Sequence, residues 1–306
     1  MTQTNARLVG NSFKLGYRFQ RYWDTSMALA FFFAEVGTGL FLVSFYFDFI
    51  PGMIAGLAVV STLKPYFHLA HMGVPSRSWR AFLRPDRSWI SRGALAIGVL
   101  IGFGVLYLID LGFGVVVRFG LPAFTGELLG YLSVAGALTV MCYQGMAMSD
   151  SESFTLWASA LLPVSSFLYA LTAGVLTMLV IGWNALGGDE RILLSNLAMA
   201  LLIIEFVTVC AILLRAWSKS EGGKFSVELL TRGECARHFI GLVFIVGLVL
   251  PVGILAMGEG RWLAGLGATL AMLSGFFAFR LLMFRAAVFE PITHDLAGRF
   301  GLPAAR

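Results

Sequence analysis

Charge is what this sequence has least of. Asp, Glu, Lys and Arg supply 13% of its 306 residues while hydrophobic residues supply 58%, roughly half the charged share of an ordinary soluble domain. So few charges cannot cover so much apolar side chain with a water-facing surface, which excludes a soluble globular fold. Cysteine is nearly as scarce, with Cys142, Cys210 and Cys235 lying far apart and no CxxC among them. Three isolated thiols do not make the cysteine set of an iron–sulfur cluster, and Cys142 and Cys210 fall in apolar runs, where cysteine serves as small filler. There are only 4 histidines. His68 and His71 stand on one predicted helix, too close in sequence to grip one iron from opposite faces. Pairing one of them with His238 allows one haem at most, the usual two-haem ladder is not available, and no haem is expected. Segments of alternating polarity, which a membrane strand barrel needs, are missing. No short apolar core with a small-residue cleavage site precedes the first long apolar run, so a cleaved signal peptide is not expected.

What the sequence does have is long apolar runs, and a mean hydropathy of +0.83. A helix crossing a bilayer needs about 20 mostly apolar residues. Runs of that kind lie near 25–47, 51–71, 92–112, 127–148, 155–183, 193–214, 238–257 and 262–284. The fold class is therefore all-α: a polytopic membrane protein with about eight transmembrane helices in a bundle. It divides into an arm over 1–24, the transmembrane domain over 25–284 and a tail over 285–306. "GFGVVVRFGLPAF" (112–124), broken by glycine and proline, predicts a re-entrant or interfacial stretch.

Spans in even number place both termini on one side. That side collects Arg7, Lys14, Arg18 and Arg21, the arginines of 77–92, the basic residues of 215–237, and Arg285, Arg299 and Arg306. The other side receives Arg118, Arg191 and Arg261. Positive charge marks the cytoplasmic face, so both termini and the long basic loops are expected in the cytoplasm of a bacterial or archaeal inner membrane.

Two groups of polar residues invite chemistry. Glu35, Lys64, Glu205 and Arg280 lie inside spans, where ionisable groups are costly. They suit either ion pairs that fix the bundle or a proton path. The second group gathers at the basic membrane edge. Asp24 opens the first span beside Trp23, His68 and His71 close the second, Tyr143 and Gln144 end the fourth, and Glu234 and His238 begin the seventh. Carboxylate, imidazole, phenol and amide at that depth suit a quinone headgroup, whose two carbonyl oxygens need donors and a relay for protons. Plain interfacial anchoring by the same residue types is the competing reading. The basic loop after His71, with Trp79 and Trp89, suits topology and contact with lipid headgroups. No metal ligand set and no catalytic constellation stands out.

The order of these pieces resembles the NrfD-type, or polysulfide-reductase-type, membrane subunits of molybdenum oxidoreductases. The resemblance runs over roughly 22–290. It is carried by "WDTSMALAFFFAEVGTGLFLVSF", "HMGVPSRSWRAFLRPDRSWISRGA", "LWASALLPVSSFLYALTAGVL" and "FRLLMFRAAV". It implies an anchor for a molybdopterin catalytic subunit and an iron–sulfur ferredoxin-like subunit, with electrons exchanged with menaquinone or ubiquinone. Iron–sulfur clusters and the molybdenum cofactor would sit in the partners alone. The family's quinone pocket maps onto Trp23, Asp24 and Tyr143. Glu35 departs from the pattern, which more often has a small residue there. "RFQRYWDTSMALAFF" and "DRSWISRG" are most similar to membrane subunits of phenylacetyl-CoA:acceptor oxidoreductases, with a cytoplasmic sulfite-oxidising complex as a second candidate. Membrane lipids are expected partners and nucleic acid is not. A proton-coupled secondary transporter is the alternative class, although no internal repeat or paired broken helices of the transporter kind are visible.

Overall fold

A computed structural model describes residues 6–7, 14–15, 18–258 and 261–290; most of the predicted tail, with Arg299, Arg306 and His294, lies outside them. Among the described residues, eight helices are long and apolar enough to cross a membrane. They are α1 (Thr25–Tyr46), α2 (Ile50–His71), α3 (Trp89–Phe113), α5 (Phe124–Ser149), α6 (Leu161–Ile181), α7 (Gly188–Lys219), a composite seventh span (Ala236–Met257) and α11 (Trp262–Arg285). The seventh span comprises one turn of α-helix, α9 (Ala236–His238), a π-helical run (Phe239–Val249) and α10 (Leu250–Met257). Helices apolar on all faces are those of a bilayer, and the all-helical bundle expected from the sequence is what forms.

The helix ends follow from local chemistry. Asp24 caps α1 by accepting from the Met27 amide at 3.1 Å, which satisfies one of the free donors of the first turn. The α1–α2 connection is tight, with Pro51 in the first turn of α2, where its missing N–H costs nothing. Gly114 ends α3 in the left-handed conformation, φ 62°, which glycine adopts freely. The Asp110 side chain there accepts from the Val116 amide at 2.7 Å, starting the single turn α4 (Val115–Arg118). The stretch predicted as re-entrant or interfacial is thus a short helix and turn at the bundle's end, where Val116 is tucked in and Val117 and Phe119 are exposed.

Two of the expected span limits shift. The fifth span begins at Leu161 rather than near 155, because residues 151–160 form a turn that inserts Trp157 into the core, its Nε1 donating to the Met283 carbonyl at 2.8 Å. The sixth span is longer than its apolar run and continues to Lys219. It is followed by α8 (Glu221–Thr231), an interfacial helix that the apolar count missed. Ser220 caps α8, accepting from the Gly223 amide at 3.1 Å.

The helices α1, α6 and α11 form the middle of the bundle: 67% of the most apolar window of α1 and of α6 is enclosed, against 17% for α3. Close approach of α1 and α6 depends on missing side chains. A Cβ on Gly39 would lie 1.8 Å from the Ala170 carbonyl oxygen, and one on Gly174 would lie 2.2 Å from that of Gly39. Lipid offers no hydrophobic drive between helices, so such backbone contact is a main source of their association. Short strands β3 (Arg18–Phe19) and β4 (Val288–Phe289) pair antiparallel, Arg18 opposite Phe289, and tie the segment before α1 to the one after α11. A separate pair, β1 (Ala6–Arg7) with β2 (Lys14–Leu15), lies in the amino-terminal arm.

Candidate functional site

The edge residues named from the sequence separate into two places. Asp24 and His71 meet: His71 Nδ1 is 3.0 Å from Asp24 Oδ1, the oxygen that also caps α1. Partial burial pushes the Asp24 carboxyl up, but the Met27 amide and His71 outweigh it and leave the group below its ordinary value. Its side chain is 58% exposed and that of His71 20%, so the pair bridges water and the bundle wall. His68 stands about one turn deeper on α2, with its Nδ1 buried and lacking a hydrogen-bond partner among the described residues. Lys64 is buried one turn deeper again. The spacing 64, 68, 71 keeps all three on one face of the helix.

Trp23 and Tyr143 frame this edge from the core. Trp23 stacks on Trp157 with ring centroids 5.0 Å apart and meets Phe31 and Phe284 edge-on at 5.4 and 5.2 Å. Its backbone amide is held by Gln20 Oε1 at 2.9 Å. The Trp23 ring is therefore a peg that fixes the entrance of α1 rather than a free wall. Tyr143 is buried on α5, and its ring occupies the space that a Cβ on Gly93 of α3 would take, 2.1 Å away. Gln144 turns inward. With its amide nitrogen facing its acceptors, it donates to the Phe31 carbonyl at 3.2 Å and to Glu35 Oε1 at 3.3 Å.

Through Gln144 the edge adjoins a buried polar seam. Glu35 of α1 and Arg280 of α11, both fully enclosed, form a two-pronged ion pair: Nε donates to Oε2 at 3.0 Å, and Nη2 donates to Oε1. The same Nη2 donates to Ser166 Oγ at 2.7 Å. One residue earlier on α6, Ser165 donates to Glu205 Oε1 of α7 at 2.5 Å. Arg280 Nη1, Glu205 Oε2 and the Tyr169 hydroxyl are buried without a partner among the described residues. Ser165, Ser166 and Tyr169 were not singled out from the sequence. Their signal is the polar interruption "SSFLY" within an apolar run.

Glu234 and His238 lie elsewhere. They line a cavity with Arg285 and Cys235 at the ends of the seventh span and α11. The seventh span packs on α7, α8 and α11, whereas α2 packs on α1, α3 and the 3-10 turn Pro75–Phe82. Of the eight residues read at the membrane edge, Glu234 and His238 are therefore not brought beside His68, His71 and Asp24. No cluster of three His, Cys, Asp or Glu side chains suited to a metal occurs among the described residues.

A family model for polysulphide reductase, NrfD, matches residues 15–290. The chain belongs to the NrfD family. A search of curated proteins finds no match. The NrfD match takes in every membrane span, and makes the chain a multi-pass subunit of the kind that serves as the membrane part of polysulfide reductase and other molybdoenzyme complexes. An anchor role fits the wide basic edge of this NrfD subunit, which carries the 3-10 turn Pro75–Phe82 and α8 beyond the spans.

Proposed function

We propose that this subunit anchors an iron–sulfur ferredoxin-like subunit and a molybdopterin subunit to the membrane, and passes electrons between the iron–sulfur partner and the quinone pool. One observation carries the quinone reading: the buried Nδ1 of His68, without a partner among the described residues, stands one turn behind the His71–Asp24 pair at the membrane edge. A buried imidazole nitrogen without a partner is costly, and a carbonyl or hydroxyl oxygen of a headgroup satisfies it.

A bound quinone supplies the two-electron, two-proton couple. His68 holds one oxygen of the headgroup, and Tyr143 and Gln144 close the site from α5. His71 moves protons between the headgroup and Asp24, whose exposed carboxylate exchanges them with water. Trp23 keeps Asp24 in register by pinning the start of α1 to Trp157 and Phe284. Gln144 joins this edge to the Glu35–Arg280 pair, and Ser165 and Ser166 lead on to Glu205, a route for proton exchange with the interior in which Lys64 gives a second branch along α2.

The charge distribution supports a cytoplasmic location for both termini and for the partner-facing edge in an inner membrane. The molybdenum subunit then works on a cytoplasmic substrate. The arginines of 77–92 form the collar on which the iron–sulfur subunit and anionic lipid sit.

The test is isolation in mild detergent through a tag on this chain. Co-eluting molybdenum and iron together with bound quinone are expected. A stable, metal-free chain that isolates alone would refute the anchor reading and favour a transporter.

A further inference from the structure

The cavity around Glu234 and His238 is separate from the proposed site and has its own chemistry. It holds about 470 Å3, within the range of small-molecule sites. His238 stands at the head of the seventh span and Arg285 at the end of α11, so both lie at the basic membrane edge. Glu234 lies in the connection just before, and all three are exposed. Deeper along the same helices the wall turns apolar, with Leu242 and Leu281. The mouth is thus polar at headgroup depth and the floor greasy at acyl-chain depth, the profile of a site for an amphiphile.

The polar set narrows the ligand. Arg285 donates, Glu234 accepts, and the His238 imidazole does both. The two formal charges cancel, and burial holds the neighbouring Cys235 thiol above its ordinary value, so it adds none. A neutral headgroup that accepts in both redox forms and donates when reduced matches this set: a quinone accepts from Arg285 and His238, and a quinol also donates a hydroxyl to Glu234. A phosphate-bearing lipid would meet Arg285 but also face the Glu234 carboxylate. Leu242 of this wall belongs to the π-helical run Phe239–Val249, a geometry that is rare and frequent at functional sites.

We infer that the cavity between the seventh span, α8 and α11 is a second quinone-binding site, a holding site open to the bilayer. Glu234, His238 and Arg285 take the headgroup there, and Leu242 and Leu281 the first part of the tail. The inference rests on the function proposed above for the class of ligand alone, since α1 and α11 stand between this cavity and α2. No electron transfer is assigned to it.

Photolabelling of the intact complex with an azido-quinone, followed by peptide mapping, tests it. Label is expected on the peptide 229–242 as well as on α1 and α2. Arg285→Gln and His238→Leu, both at exposed positions, should each lower labelling of 229–242 about tenfold, the loss of one hydrogen bond to a charged or polar group, and leave the α1–α2 label unchanged. Label confined to α1 and α2 would overturn the second site and spare the first. Label on 229–242 that excess phosphatidylglycerol displaces and unlabelled quinone does not would make the cavity a lipid site. Label on neither segment would defeat both readings.

Discussion

The Glu35–Arg280 pair and the Asp24–His71 pair are both acid–base contacts involving α1, yet they are built in opposite ways. The first is fully enclosed, two-pronged, and braced by Ser166 and by Gln144. The second uses one contact of 3.0 Å between partly open side chains, and the Nδ1 of its neighbour His68 has no partner among the described residues. A fully enclosed charge pair held by two prongs and by neighbours on α5 and α6 fixes helices in place, even with Arg280 Nη1 left over. A pair with spare valence and access to water is placed to exchange protons. The contrast is between a pair that braces the bundle while lying on the proposed inner proton route and a pair open to water at the edge.

The largest effect should come from breaking the enclosed pair on one side. Glu35→Ala or Arg280→Ala strands a charge in the bundle, a loss of about 3–5 kcal/mol. The folded subunit should nearly disappear from membranes, as read by size exclusion of a fluorescent fusion. The double change Glu35→Gln with Arg280→Met should recover much of it, because a buried pair replaced by neutral groups of similar volume costs little. If the double variant is as unstable as the singles, the pair is not the unit described.

Next in size is the edge. His71→Ala should lower quinone reduction by about a hundredfold, the usual scale for a lost acid–base group, while molybdenum and iron in the isolated complex stay unchanged. Asp24→Asn should act in the same direction but less, because the amide still caps α1. Equal loss of assembled complex in these variants would move Asp24 and His71 to the structural side of the comparison.

Smaller still is Gly93→Ala. The new Cβ collides with the Tyr143 ring, an overpacking cost of about 1–3 kcal/mol, visible as a lower melting temperature of the complex. The smallest effect is on pH. Asp24 is held below its ordinary value, so its contribution is present above the unfolded-state value near ~4 and lost as pH falls through the lower folded one. The group is mostly exposed and its contact is screened, so Asp24→Asn should only slightly flatten the acid limb of a stability profile.

The comparison also marks what the sequence could tell. Apolar runs, basic loops and the number of spans were readable because depth in a bilayer is written in composition. Depth also put Asp24 and His71 at one edge, and they do meet. Position around the bundle is not written that way. Glu234 and His238 share the depth of His71 but belong to a different face, and the pairing of Glu35 with Arg280, 245 residues apart, follows from helix packing that no local pattern encodes. Ser165 and Ser166 passed as small residues in an apolar helix until the helices around them fixed their partners. The fifth span was drawn too long because Trp157 is apolar and buried without being helical in the membrane sense.

The central claim is that the free nitrogen of His68 holds a quinone oxygen. It is tested most directly by the quinone content of the complex isolated with His68→Leu, measured by solvent extraction alongside its molybdenum and iron. The account predicts metals at the unmodified level and a lowered quinone content, the remainder held by the second cavity, with azido-quinone label and quinone reduction lost from the α1–α2 site. Unchanged quinone content, α1–α2 labelling and turnover in that variant would contradict it.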